Sequence, residues 1–281
     1  MVQKAIESSS YIFRTRETFS ENSRRLNEFS GGEGRELMAA FVKIAHRGAS
    51  GRFPENTQLA FEKAIEARAE MIEMDCQMTS DGHIVIFHDE RLKRTAGVSG
   101  TVKNQTLEQL KKLDVGQWKK KSFRGARMLT LEEVLEIIIP KVDLCLDIKQ
   151  FNDSQPGIEI KLLFILSHYD YLDQTIFSSF SYHCLARVRE LAPEARIGLI
   201  YGTGVREDPF VVAEQLAASS IHVQQQMATR PFLDKAWEAG LDVHVWTVND
   251  LRHMEKFASL GVQGIVSDYP EKFRSLELLG Q

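Results

Sequence analysis

Glu73, Asp75 and His88 lie within one short stretch, Met71 to Glu90, MIEMDCQMTSDGHIVIFHDE. Glu73 and Asp75 are two apart in an otherwise apolar run (Met71, Ile72, Met74), and strand side chains at i and i+2 share a face. Two carboxylates buried on one face are costly unless a cation compensates them, and a metal ion is the simplest compensation. Asp81-Gly82 between two alternating segments is a strong hairpin signal. With those two residues as the loop, Ser80 pairs with His83 and Asp75 falls opposite His88, which brings the imidazole to the same face.

Other chemistry-bearing residues stand where strands are expected to end. His46 closes FVKIAHRG, Asp147 and Lys149 close VDLCLDIK on a shared face, and Trp246 sits late in DVHVWTV. Three carboxylates with neither a cysteine pair nor His-x-x-x-His suit Mg2+ or Ca2+ rather than zinc. The alternative is that Glu73, Asp75 and Asp147 pair with Arg47 or Lys149 as structural ion pairs. Two histidines beside a metal suggest general acid–base work. Arg47 and Lys149 are suited to clamp a phosphate. His83, His168, His183, His222, His244 and His253 lack such company and read as ordinary.

These residues need a frame that gathers strand ends. From Phe41 the pattern alternates short strands with amphipathic helices. Strands are expected at 142–148, 175–179, 196–200, 220–223, 242–248 and 264–267, with helices near 157–168, 183–191, 208–218, 229–239 and 250–259. Asn56 or Thr57 caps a first helix, and Thr130…Glu133 forms a capping box before a helix that Pro140 stops. Repeated strand–helix units without a dinucleotide fingerprint predict an α/β fold, a (β/α)8 TIM barrel. Active residues of such a barrel sit at the C-terminal strand ends. The strand count is nine, so the irregularity is expected at the hairpin of Met71 to Glu90. Alternation lapses at about 89–129, where one short helix from Thr106 with a Thr106…Gln109 capping box suggests a small inserted subdomain.

The 281 residues carry 35 basic and 39 acidic side chains, a net charge of −4. That balance gives no hint of nucleic acid, and no polybasic tract is read as a membrane anchor. No apolar run approaches the roughly 20 residues of a membrane span. Cys76, Cys145 and Cys184 are scattered and odd in number, which fits a reducing compartment; with no signal-peptide pattern, a cytoplasmic protein is expected. Residues 1–40, rich in Ser, Arg, Glu and Asn, read as a flexible or partly helical extension before a domain at 41–275.

The run AHRGASGRFPENTQLAFEKAIE, then MIEMDCQMTSDGHIVIFHDERLKRT, TLEEVL, LDIK, SSF, HVWTVND and GIVSDYP, in this order from about Val42 to Phe273, resembles the glycerophosphodiester phosphodiesterase family. The resemblance implies a TIM barrel with an insert, and metal-dependent hydrolysis of small-molecule glycerophosphodiesters to sn-glycerol 3-phosphate and an alcohol. By position it implies His46 and His88 as the acid–base pair and Glu73, Asp75 and Asp147 as metal ligands. It implies Arg47 and Lys149 at the phosphate, with Glu55 of Pro-Glu-Asn-Thr bordering the site and Trp246 on the substrate side. Asp147 departs from the family's usual glutamate and is shorter by about 1.5 Å. A lysophospholipase D-type phosphodiesterase and a silent phosphate-binding barrel are the competing readings.

Overall fold

The computed structural model describes residues 40–151 and 155–279; apart from Ala40, the expected N-terminal extension lies outside the described residues. The chain runs β1 (Val42–His46), α1 (Gln58–Glu66), β2 (Met71–Met78), β3 (Ile84–Ile86), α2 (Lys93–Ala96), α3 (Leu107–Lys111), α4 (Leu131–Ile138) and β4 (Asp143–Ile148). It continues α5 (Ile158–His168), β5 (Thr175–Ser179), α6 (Tyr182–Leu191), β6 (Arg196–Tyr201), α7 (Pro209–Leu216) and β7 (Ser220–Gln224). The last elements are α8 (Arg230–Glu238), β8 (Asp242–Trp246), α9 (Leu251–Leu260), β9 (Gly264–Ser267) and α10 (Phe273–Leu279). Eight parallel strands close into a ring, β1-β2-β4-β5-β6-β7-β8-β9 and back to β1, while β3 pairs antiparallel on β2 outside it. The fold is the expected (β/α)8 barrel, irregular at the β2–β3 hairpin.

The period-two pattern decides what each strand offers to either side. Ile72, Met74, Leu144, Leu146, Val243 and Val245 face outward into the core beneath the helices, where burying each such side chain contributes about 1.5–3 kcal/mol. The opposite parity faces the barrel interior. Its lower part is apolar, with Ile44, Met71, Cys145, Ile176 and Val266 packed together. Higher up, the same parity carries His46, Glu73, Asp75 and Asp147, which therefore project at the C-terminal mouth.

Local signals explain the helix boundaries. Thr57 caps α1 by accepting from the Ala60 amide, and Asn56 is released for another task. Both capping boxes form, at Thr106…Gln109 and Thr130…Glu133. The β2–β3 register differs by one from expectation: Cys76 pairs with Ile86 and Met78 with Ile84. Thr79 and His83 close a three-residue loop, the Thr79 amide donating to the His83 carbonyl at 2.9 Å. Gly82 takes φ +81°, the left-handed residue that such a loop needs. Asp75 thus lies level with Phe87, whose amide donates to the Asp75 carbonyl, and a one-residue slip reverses the face. His88 reaches the mouth because it lies beyond the end of β3, free of the ladder's alternation.

The insert has its own small core of Val85, Phe87, Leu92, Val102, Leu110 and Met128. Beyond the expected helix α3, it contains α2 and two 3₁₀ turns at Val102–Asn104 and Lys121–Phe123. Among the described residues no helix is long and apolar enough to cross a membrane.

Candidate active site

Glu73, Asp75 and Asp147 each present one carboxylate oxygen, all within 4.8 Å of one another. The register explains this: His46 lies beside Glu73 across β1–β2, and Asp75 beside Asp147 across β2–β4. Asp147 is short yet reaches the cluster. Asn56 donates to Asp75 Oδ2 at 2.7 Å, and Lys149 Nζ lies 3.0 Å from Asp75 Oδ1 and 2.5 Å from Asp147 Oδ2. Arg47 Nε lies 3.2 Å from Asp75 Oδ2, and the Arg47 amide donates to Glu73 Oε2 at 3.0 Å.

Two cations thus face three buried carboxylates, and the ionisation equilibria reflect the deficit. Burial followed by repulsion from Asp75 pushes Glu73 up to about 7, against the pull of His46 and Arg47. Burial and Asp75 also raise Asp147 despite Lys149. Burial opposes the Asp75 charge, but Lys149 and Arg47 outweigh it and hold this carboxyl well below its ordinary value. Asp147 Oδ1 is buried without a hydrogen-bond partner, and Asp75 Oδ1 faces only the Lys149 ammonium. An orphaned oxygen and an all-oxygen donor set fit a divalent cation of the hard type.

The two histidines are held alike. His46 Nδ1 lies 2.6 Å from Asp268 Oδ1, and Asp268 also accepts from Ser50 Oγ (3.0 Å) and Asn249 Nδ2 (2.6 Å). His88 Nδ1 lies 2.7 Å from Asp89 Oδ1, with Arg94 on both Asp89 oxygens at 2.7 and 2.9 Å. An ionised carboxylate only accepts, so each Nδ1 donates and each Nε2 is left for chemistry. Burial works against both aspartates, but hydrogen bonds from His46 to Asp268, and from Arg94 and His88 to Asp89, hold each at about 2. Burial, with Lys149 and Arg47 nearby, lowers His88 despite Asp75. His46 Nε2 is 3.9 Å from Glu73 Oε2.

Glu55 sits between two arginines: Arg47 Nη1 donates to it at 3.0 Å, and Arg94 grips it with two hydrogen bonds of 2.7 Å. Burial disfavours its charge, yet Arg94 and Arg47 keep it below its ordinary value. The pocket opens to solvent, and its charged residues His46, Arg47, Glu73, Asp75, His88 and Lys149 share the lining with Trp246, Phe180 and Ile200. Trp246, the last residue of β8, donates to the His222 carbonyl at 2.8 Å and meets Phe180 edge-on at 6.0 Å.

Every expected site residue borders this pocket except Glu55, which touches it through Arg47. Of the histidines read as ordinary, His222 and His244 are buried. Their rings stack at 4.6 Å inside the barrel, and His222 lines the pocket floor. Sequence reasoning missed Asp268, Asp89 and Arg94. Asp268 follows β9 directly, so the strand-end rule that found His46 reaches it; Asp89 and Arg94 follow an irregular segment, where no periodicity assigns a face.

Comparisons with known proteins give this mouth its context. The pattern of the Glycerophosphoryl diester phosphodiesterase family matches residues 46–272. The chain belongs to this family. A glycerophosphodiester phosphodiesterase of Caldanaerobacter subterraneus subsp. tengcongensis is 40% identical over 234 residues, 83% of this chain and 96% of that relative. A glycerophosphodiester phosphodiesterase of Bacillus subtilis is 32% identical over 253 residues, 84% of this chain and 86% of its own. An Oleispira antarctica phosphodiesterase solved with its product sn-glycerol-3-phosphate aligns with TM-score 0.77 and 30% identity, covering 83% of this chain and 94% of that one. The phosphodiesterase family match runs from His46, the last residue of β1, through the turn after β9, and so includes every site residue named above.

Proposed function

We propose that the chain hydrolyses glycerophosphodiesters to sn-glycerol 3-phosphate and an alcohol, with Mg2+ or Ca2+ held by Glu73, Asp75 and Asp147. The observation that carries this reading is the meeting of these carboxylates with two aspartate-backed histidines in one pocket. The cation would polarise a phosphoryl oxygen and offset the charge of the diester. Arg47 and Lys149 hold the remaining anionic oxygens. One imidazole Nε2 takes the proton of the attacking oxygen, and the other returns a proton to the departing alkoxide. Asp268 and Asp89 fix the tautomer that leaves each Nε2 able to do so. Trp246 and Phe180 give the carbon skeleton an apolar wall. The catalytic unit is residues 41–275, with 1–40 accessory. Three free, buried cysteines support a cytoplasmic setting.

The test is release of glycerol 3-phosphate from glycerophosphoethanolamine and glycerophosphocholine by chelated protein, then with Mg2+, Ca2+ or Mn2+ restored. Release that returns with a divalent ion is the expected result. Undiminished release after chelation, or none under any condition from folded protein, overturns the reading.

A further inference from the structure

The near balance of the whole chain hides a strong local asymmetry. Residues 89–129 hold eleven Lys and Arg against four Asp and Glu, so the insert is +7 and the rest of a −4 chain is −11. Five of those cations fall in Lys119–Arg127, so the expectation of no polybasic tract fails here.

This segment is built to be displayed. Asp114 accepts from the amides of Gly116 (2.9 Å), Gln117 (2.8 Å) and Gly125 (2.5 Å), and the Val115 amide donates to the Ala126 carbonyl. Residues 114–126 thereby form a closed loop. Its inner side packs on the β1–α1 connection, with Phe123 6.0 Å from Phe53 and Lys119 donating to the Ser50 carbonyl at 2.7 Å. Its outer side presents Lys120, Lys121 and Arg124, all exposed and, among the described residues, without a carboxylate partner. Lys103 and Lys112, elsewhere in the insert, pair with Glu90 and Glu108.

Trp118 stands on the same loop. Its Nε1 donates to the Val115 carbonyl, the residue is 37% exposed, and its ring lies between Arg94 and Lys119, at 5.5 and 5.7 Å. Arg94 holds Glu55 and Asp89 at the pocket, and Ser50 holds Asp268. The basic face therefore adjoins the mouth. We propose that it docks the enzyme reversibly on an anionic phospholipid surface, mouth towards the lipid. Cations bunched around one exposed indole have the composition of an interfacial anchor. A nucleic acid would instead call for a basic groove that tracks successive phosphates. Docking is independent of the proposed hydrolysis, since one is read on vesicles and the other on a soluble diester.

The experiment is cosedimentation of the full chain with phosphatidylcholine vesicles, with and without phosphatidylglycerol, at low and raised salt. Binding is expected only with phosphatidylglycerol, weakening with salt. The variant K120Q/K121Q/R124Q should bind roughly 100-fold more weakly, about fivefold per charge. It should release glycerol 3-phosphate from soluble glycerophosphoethanolamine at the wild-type rate. Indole fluorescence should shift to the blue on phosphatidylglycerol vesicles, and W118F should lose that shift. No binding by the wild type, equal binding by the triple variant, or tighter binding of DNA than of vesicles each overturns the proposal. Loss of soluble-substrate turnover in the wild type would instead count against the proposed function alone.

Discussion

At the scale of single residues, Asp268 shows how much of the site lies outside the carboxylate cluster. It accepts from His46, Ser50 and Asn249 together, so its charge serves to fix one imidazole in one tautomer. Asp268→Asn retains the size but can present an amide N–H to His46 Nδ1, which favours the wrong tautomer. Because general acid–base groups contribute about 10²- to 10⁴-fold, kcat should fall by roughly 100-fold or more with KM little changed. Steady-state kinetics over a pH series checks this, and a loss confined to KM would assign Asp268 to substrate binding. Glu73 and Asp147 differ from Asp75 for a reason equally local: Lys149 and Arg47 converge on Asp75, and two cations do not saturate three carboxylates. A divalent ion held there, as proposed, would offset that imbalance.

Among the elements, the barrel strands were legible because alternation and strand ends carry information in parallel sheets. Asp147 could be placed beside Asp75 from VDLCLDIK once the barrel was assumed. His88 was harder, because the loop at Ser80-Asp81-Gly82 takes three residues and shifts the ladder by one. The segment that brings it to the mouth obeys no period; side-chain hydrogen bonds shape it instead. Gln77, 1% exposed, donates to the Phe87 carbonyl at 2.7 Å and to the Asp89 carbonyl at 2.9 Å, bracketing His88 from both sides. Replacing it by Leu keeps the bulk but orphans two carbonyls, which costs about 1–3 kcal/mol. Gln77→Leu should lower kcat while leaving the Asp268–His46 pair intact. A thermal melt and the kcat pH profile together check it: lost stability with an unchanged profile would make Gln77 structural only. Asp89 and Arg94 stayed hidden in the sequence for the same reason.

For the whole molecule, the barrel interior sets two opposing pH dependences. Burial, then Arg196, lowers His222 to about 4, and burial beside His222 lowers His244 further. The unfolded chain therefore takes up protons below about 6.5 that the folded barrel refuses, and stability is lost as pH falls from there towards 4. Glu73 acts in the opposite sense. Its folded value of about 7 lies above its ordinary 4.5, so the folded state retains a proton that the unfolded state releases, and stability falls as pH rises through that window. A divalent cation held as proposed would require the deprotonated carboxylate and the assembled cluster, so it should cancel the second dependence and leave the first. Thermal melts of chelated protein with and without Mg2+ or Ca2+ should show a rise in Tm that is small near pH 5 and grows towards pH 8. Glu73→Gln, which has no proton to lose there, should flatten the fall of the chelated protein's stability with rising pH. It should leave the acid-side loss from His222 and His244 in place. A metal effect of equal size at both pH values would mean that the cation binds away from Glu73, and the three-carboxylate site would have to be redrawn.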